Sequence, residues 1–353
     1  MKKSLCILML STTIVAFAAN VQQTEINSTV NSGVAYLLKK QKRNGSWEGP
    51  GKTALVVFTL LKSGVNPKTR AIRAGFSSLW QRPPRTTYGV SLTIMALDYY
   101  RRKVPKFPKR MQLLLKVMVK KLLAARSNDY WSYSTHSSSK DLSNTQFAVF
   151  ALRSAVRLGV KISDKIWLRL LEALLRAQKN GHEVVGVIGG SKNEYYKSDT
   201  QHYARGWGYT AKASSTGSMT AAGVCCLLII REHLSTTKKY ARAHKMLTKG
   251  IEDGMAWLAL HFTVETNPSR SRHHKNWHYY YLYGLERVGS LIGWDLIGRF
   301  EWYALGASYL VRHQRDGHWK DMVTTCFALL FLVKATLPAT LPVKETIRII
   351  TPG

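Results

Sequence analysis

One unit recurs along this 353-residue chain and restricts its fold more than any other feature. Its clearest copy lies near the C-terminus. Trp302, Leu305, Tyr309 and Leu310 step by three and four up to His313, the spacing of a one-sided helix. Gln314-Arg315-Asp316-Gly317 stops that helix, because glycine accepts the left-handed conformation that ends one, and Trp319 follows within folding-back distance. From Met322 to Val333 nearly every residue is apolar, so the next helix has no wet face and must be enclosed on all sides. An amphipathic outer helix, a Gln/Gly/Trp turn and an enclosed inner helix make up one unit.

The same order returns upstream. Gly33 to Gly49 leads into an inner helix over Thr53 to Leu61, with Gln41, Gly45 and Trp47 in the roles of Gln314, Gly317 and Trp319. An outer helix near Lys68 to Gln81 ends before Pro83-Pro84, and its inner partner spans Tyr88 to Tyr100. Pro108 to Arg126 predicts a basic amphipathic outer helix, paired with an inner helix entered through Asp141-Leu142-Ser143-Asn144-Thr145 and running to Leu158. Lys165 to Gln178 pairs with Thr216 to His233, separated by a Gly/Tyr/Ser-rich insertion expected to be irregular. Tyr240 to Phe262 pairs with Trp277 to Ile292. Six pairs with enclosed inner members predict an all-α fold, a single α/α toroid over residues 19–337 in which six inner helices are wrapped by six outer ones. An open solenoid would instead need polar terminal repeats, and the last repeat here is the most apolar.

Residues 1–18 read as a signal peptide: Lys2 and Lys3, an apolar run from Leu5 to Val15, then Ala16-Phe17-Ala18. The run is too short to span a bilayer. An exported protein, periplasmic or extracellular, with no transmembrane segment in its mature chain is expected. Residues 338–353, with Pro338, Pro342 and Pro352, read as a C-terminal tail. Cys225, Cys226 and Cys326 lie inside apolar helices and read as buried thiols rather than a disulfide framework. The net charge of +32 points toward an anionic envelope polymer or lipid surface as partner. Nucleic acid is not expected among the partners.

Gln41 to Trp47, Gln314 to Trp319 and the inner helix from Ser143 to Leu152 resemble the repeats of squalene-hopene cyclases and protein prenyltransferase β subunits. Gly206 to Gly223 and His278 to Gly289 are similar to exported bacterial proteins of the prenyltransferase/squalene-oxidase repeat group. The likeness covers about residues 30–337 and implies the terpenoid-cyclase-like toroid. It also implies where chemistry would sit. In the cyclases, an Asp-x-Asp-Asp-Thr motif supplies the acid that protonates an alkene. Here Asp141 and Thr145 fit that motif, while Ser143 and Asn144 replace its second and third carboxyls. The prenyltransferase zinc ligands are replaced as well, by Ser218-Met219-Thr220 and Thr324-Thr325-Cys326.

The expectation is therefore a toroid that binds an isoprenoid or other apolar ligand or acts as a scaffold, with no cofactor. The alternative is an enzyme: a divergent isoprenoid cyclase using Asp141, or a lyase on acidic polysaccharide using Tyr or His as base. Asp141 is the candidate catalytic residue. Thr145, Gln146, Trp207, Tyr209, Ser218, Thr220, Trp277 and Tyr279 are expected around the ligand, and Tyr280 and Tyr283 are further candidates for the cavity wall. His274 and His278, one helical turn apart, with Asp199 and His202, have metal-ligand character, but the Arg and Lys around His274 would repel a cation and no metal is expected. Glu286 and Arg287 read as a structural ion pair or helix surface.

Overall fold

The computed structural model describes residues 21–127, 129–133, 141–191, 201–210, 212–235, 237, 240–269 and 277–339. Among them are twelve helices. The outer ones are α1 (Gln23–Lys39), α3 (Arg70–Gln81), α5 (Lys109–Ala124), α7 (Asp164–Ala177), α9 (Tyr240–Leu260) and α11 (Trp302–His313). The inner ones are α2 (Pro50–Lys62), α4 (Thr87–Lys103), α6 (Leu142–Arg157), α8 (Gly217–Leu234), α10 (His278–Ile292) and α12 (Met322–Leu332). Each inner helix packs on the next, and α12 packs on α2, so the inner ring closes. The expected α/α toroid is what the chain forms. The leader-like residues 1–18 lie outside the described residues.

Amphipathicity sorts the two rings. Residues 53–61 of α2 are all buried, as are 142–155 of α6, whereas α3 and α7 bury one stripe each. Pro50 opens α2 three residues earlier than the apolar pattern suggests, because proline at the first helical position gives up no hydrogen bond. Cys225, Cys226 and Cys326 are free and buried.

The Gln/Gly/Trp turn is a three-part clamp. Gly45 and Gly317 take the left-handed conformation expected of them, with φ of +80° and +74°, but within the turn rather than at the helix ends: α1 stops at Lys39 with Lys40 right-handed, and α11 stops at His313 with Gln314 extended. A Cβ on Gly45 would also lie 2.5 Å from the Ala74 carbonyl oxygen. The glutamine amide ties one outer helix to the next: Gln41 Nε2 donates to Ala71 O of α3, Gln178 Nε2 to Gly250 O of α9, and Gln314 Nε2 to Thr29 O of α1. The last of these closes the outer ring. The tryptophan ties outer to inner. Trp47, Trp131, Trp207 and Trp319 donate their indole N–H to Leu37, Leu122, Leu174 and Leu310, near the C-terminal ends of α1, α5, α7 and α11. Their backbone N–H groups donate to the hydroxyls of Thr53, Thr145, Thr220 and Thr325, the fourth residue of each following inner helix. Val90 and Tyr281 hold the corresponding place in α4 and α10.

The 178–216 insertion is less irregular than expected. Strand β1 (His182–Val185) pairs antiparallel with β3 (Gln201–Ala204). β2 (Gly189–Gly190) joins β4 (Leu296–Ile297) and β5 (Phe300–Glu301) in a second small sheet.

Every inner helix follows an outer one, so all six run in the same direction and the ring has an N-terminal and a C-terminal mouth. The C-terminal mouth is strapped by residues 335–339. Arg153 donates to Leu337 O and Pro338 O, Lys62 to Ala335 O, and Ala339 N to Leu291 O. Part of the predicted tail thus packs on the inner ring.

Candidate functional site

The N-terminal mouth is built from loops sewn to one another. Leu142 N at the start of α6 donates to Tyr209 O in the loop before α8, and Gly217 N at the start of α8 donates to Pro268 O in the loop before α10. Thr87 at the start of α4 likewise bonds Ser132 O in the loop before α6. Six helix N-termini gather at this mouth, which gives it a positive backbone potential.

Asp141 caps α6 and is almost fully buried. Its Oδ1 accepts from Ser143 N (2.9 Å), Asn144 N (3.1 Å) and Ser143 Oγ (2.9 Å). Its Oδ2 accepts from Asn144 Nδ2 (2.6 Å) and the Tyr209 hydroxyl (2.7 Å). Five donors converge on a group that, when ionised, can only accept. Asp141 is therefore built as an acceptor rather than as the proton donor that alkene protonation requires. The two residues that replace cyclase carboxyls, Ser143 and Asn144, are the donors that hold it so.

Through these bonds Asp141 positions two tyrosines. Tyr88 OH donates to Ser143 Oγ (2.7 Å), which donates on to the carboxylate, and Tyr209 OH donates to it directly. Burial, with the hydrogen bond and the charge of Asp141, raises the Tyr209 pKa above that of an ordinary phenol. Tyr88 is raised chiefly by burial. Both phenols keep their protons at neutral pH.

From Tyr88 an arc of rings crosses the mouth. Tyr133 lies 5.7 Å from Tyr88, Tyr88 4.7 Å from Phe147, Phe147 6.3 Å from Tyr280, and Tyr280 6.5 Å from Trp277, centroid to centroid. The middle of the arc is sunken and its ends are open: Trp277 is 56% exposed, Tyr133 49% and Tyr209 36%. Gln146 lies below, donating to the Tyr280 hydroxyl and accepting from Arg287 Nη1 at 3.3 Å.

Arg287 reaches from α10 to α6 inside the ring. It is fully buried, and its guanidinium sits 4.0 Å from the Tyr283 ring, 4.3 Å from Phe150 and 4.5 Å from Phe147. Glu286 is equally buried and binds Thr336 N, Thr336 Oγ1 and Ser290 Oγ, all at 2.9 Å. Burial pushes its pKa up to about 6. Neither residue is helix surface, contrary to the sequence expectation.

The expected site residues thus divide. Asp141, Gln146, Tyr209 and Trp277 meet at the mouth. Thr145, Trp207 and Thr220 belong to the Trp/Thr clamps, where Trp207 is fully buried against Gly223 and Gly254. Ser218 is locked by Asn267, which accepts from its N–H and donates to its Oγ. Tyr279 lies toward Tyr309 of the outer ring, and burial pushes its pKa up to about 12. It is Tyr280 that enters the arc. His278 is paired with Val264 O at 2.7 Å, while His274 and Asp199 fall outside the described residues. Tyr88, Tyr133 and Phe147 escaped the sequence reading. Tyr88 and Phe147 sit at the second and sixth positions of their inner helices, within the first two turns from the mouth.

The sequence matches no known family profile, and no curated protein is detectably similar to it. Among solved structures the chain is similar to an inactive variant, carrying two Asp-to-Asn substitutions, of a family 76 glycoside hydrolase, an α-1,6-mannanase from Salegentibacter sp. HEL1_6 in complex with α-1,6-mannotriose. The TM-score is 0.54 at 7% identity, covering 88% of this chain and 98% of that one. At that identity the likeness establishes a shared α/α toroid fold.

Proposed function

We propose that the chain is an exported protein that binds anionic polysaccharide across the N-terminal mouth of its inner ring. The observation that carries this is the aromatic arc, with its open ends Tyr133 and Trp277 and its Asp141-anchored hydroxyls Tyr88 and Tyr209. Flat apolar faces beside fixed hydroxyls suit a sugar ring, which presents C–H on its faces and O–H at its edge. The net charge of +32 and six converging helix N-termini favour a negatively charged glycan. The oligosaccharide held by the structural neighbour supports the general class and says nothing of the charge.

Within this reading Asp141 orients the two phenols. Hydrolysis in most glycosidases uses two carboxyl groups flanking the scissile bond. Among the described residues Asp141 is the one carboxylate whose charge acts on Tyr88, Tyr209 and Tyr280, and it is committed to five donors. A Tyr-based lyase would need a phenol that gives up its proton readily, and Tyr209 is shifted the other way. An apolar ligand beside α6 and α10 is disfavoured because the buried guanidinium of Arg287 lies there among its rings. Binding is thus favoured over catalysis.

Affinity electrophoresis of the exported protein in gels containing polygalacturonate, beside gels containing neutral α-1,6-mannan, tests the proposal. Retardation by polygalacturonate is expected, with Trp277→Ala weakening it about three- to tenfold for the loss of one stacking face. Equal mobility in all gels, or an unaltered variant, would reject the site. Equal retardation by both polymers would reject the charge preference. Intact mass of the exported chain should show loss of residues 1–18.

A further inference from the structure

The positive charge is not spread evenly around the ring. Between residues 49 and 128 the sequence holds one acid, Asp98, and that one is buried and bonded to Arg102. Residues 99–128 alone carry ten Lys or Arg. In the outer ring α1 has Glu25, α7 has Asp164 and Glu172, and α9 has Glu252 and Asp253, whereas α3 and α5 have no acid.

Within this sector α5 has an unusual outer face. It buries Leu114, Leu115, Met118, Val119 and Leu122 and packs on α4 and α6, so its other side looks outward. Leu113 and Val117, one helical turn apart, stand in the middle of that side and are 51% and 44% exposed. Lys109, Lys116 and Lys120 flank them on one edge, Arg110 and Lys121 on the other, and all five are exposed. Among the described residues none of these cations has a carboxylate within ion-pair distance. Arg110 lies instead 5.0 Å over the ring of Trp80 in α3. A face that met only water would gain solubility from the lysines and nothing from the leucine and valine.

We propose that the outer face of α5 docks the protein on the surface of an anionic phospholipid bilayer. The cations draw the helix to the lipid phosphates, and Leu113 and Val117 enter the boundary between headgroups and acyl chains. With 16 residues the helix offers a straight contact about 24 Å long. The two aliphatic side chains decide between lipid and polymer. A charged polymer, nucleic acid or acidic glycan, would pair with the cations and leave both aliphatic groups in water. The face shares no residue with the aromatic arc, so it stands apart from glycan binding at the mouth.

Flotation of the exported protein with vesicles of equal parts phosphatidylglycerol and phosphatidylcholine, beside vesicles of phosphatidylcholine alone, tests the face. Binding to the mixed vesicles is expected, and binding to the neutral ones at least about tenfold weaker. Replacing Lys116→Gln and Lys120→Gln together should weaken it about fivefold for each lysine removed. Leu113→Gln with Val117→Gln should weaken it about tenfold at unchanged charge. The same variant should keep its retardation by polygalacturonate, so failure here and failure at the mouth are read separately. No binding to mixed vesicles, equal binding to both kinds, or unaltered binding in either double variant would overturn the proposal. Melting curves check the fold of the variants. Should one not fold, wild type decides in molar salt: a remnant of binding marks the apolar anchor, and complete release would overturn it.

Discussion

Asp141→Ala and Asp141→Asn should behave differently, and the difference can be worked from five hydrogen bonds. Alanine removes the cap of α6 and leaves Ser143 N, Asn144 N and Asn144 Nδ2 facing a gap, all on residues that are almost fully buried. Each orphaned donor costs about 1–3 kcal/mol. Partial rehydration through the mouth and the outward swing of Tyr209 reduce the sum, so a loss of about 3–5 kcal/mol is expected. For a chain of this length that lowers the melting temperature by roughly 5–8 °C. Asparagine keeps the cap, at which it ranks with aspartate. Its new amide nitrogen would face the Asn144 amide, whose buried Oδ1 has no hydrogen-bond partner and can turn to accept. Only the charge-assisted part is then lost, about 1–2 kcal/mol. Thermal unfolding by circular dichroism reads both variants, and polygalacturonate affinity reads the positioning of the phenols. If alanine melts within a degree of wild type, or if asparagine is as damaging as alanine, the account of Asp141 as a five-fold acceptor is wrong.

Other consequences are as direct. The Glu286 carboxyl, with its pKa raised from 4.5 to about 6, binds its proton more tightly folded than unfolded, so stability should fall by about 2 kcal/mol as pH rises through that window. Denaturant titrations at pH 4.5 and 6.5 should show the fall in wild type and lose it in Glu286→Gln. Gly223→Ala would place a methyl 2.4 Å from the Trp207 ring, pressed between α8 and its clamp. A loss of about 1–3 kcal/mol is expected from that overpacking, and an unchanged denaturation midpoint would contradict the close approach. Gln314→Ala removes the amide that joins α11 to α1 and leaves Thr29 O without that donor. It should cost about 1 kcal/mol and raise hydrogen exchange in α1 before α7, and uniform exchange would argue that the bond does not hold the ring shut.

The rings were legible in the sequence because their cause is local. Met322 to Leu332 has no polar face and Arg70 to Gln81 has one, and that difference alone assigns inner and outer. The turn was legible too, since Gly45 and Gly317 supply left-handed φ. The site was only half legible. Trp207, Thr145 and Thr220 have the residue types of a ligand pocket, and nothing in their types shows that the indole is spent on Leu174 O and the hydroxyls on Trp N–H groups. A signal was present in the equal spacing of Trp47 to Thr53 and Trp319 to Thr325, a repeat that marks scaffold rather than site. Tyr88 escaped because it reaches Asp141 only across to α6, through Ser143, and Tyr133 because it joins the arc only through Tyr88. Glu286 and Arg287 read as a structural ion pair or helix surface because charged neighbours on a helix usually are one or the other, whereas here hydroxyls, a backbone N–H and aromatic faces replace water.

The bond from Gln314 to Thr29 spans almost the whole chain, as does the packing of α12 on α2. Until the last pair has been made, α2 and α10 each present an apolar side with no neighbour. Assembly of the native ring is therefore gated by the final forty or so residues, and loop-closure entropy is charged late and all at once. The finished ring, by contrast, has no first member. A chain opened between any two pairs and joined between residues 339 and 21 would find the same neighbours in a different order of arrival, so circular permutants of this protein should differ in folding rate far more than in fold.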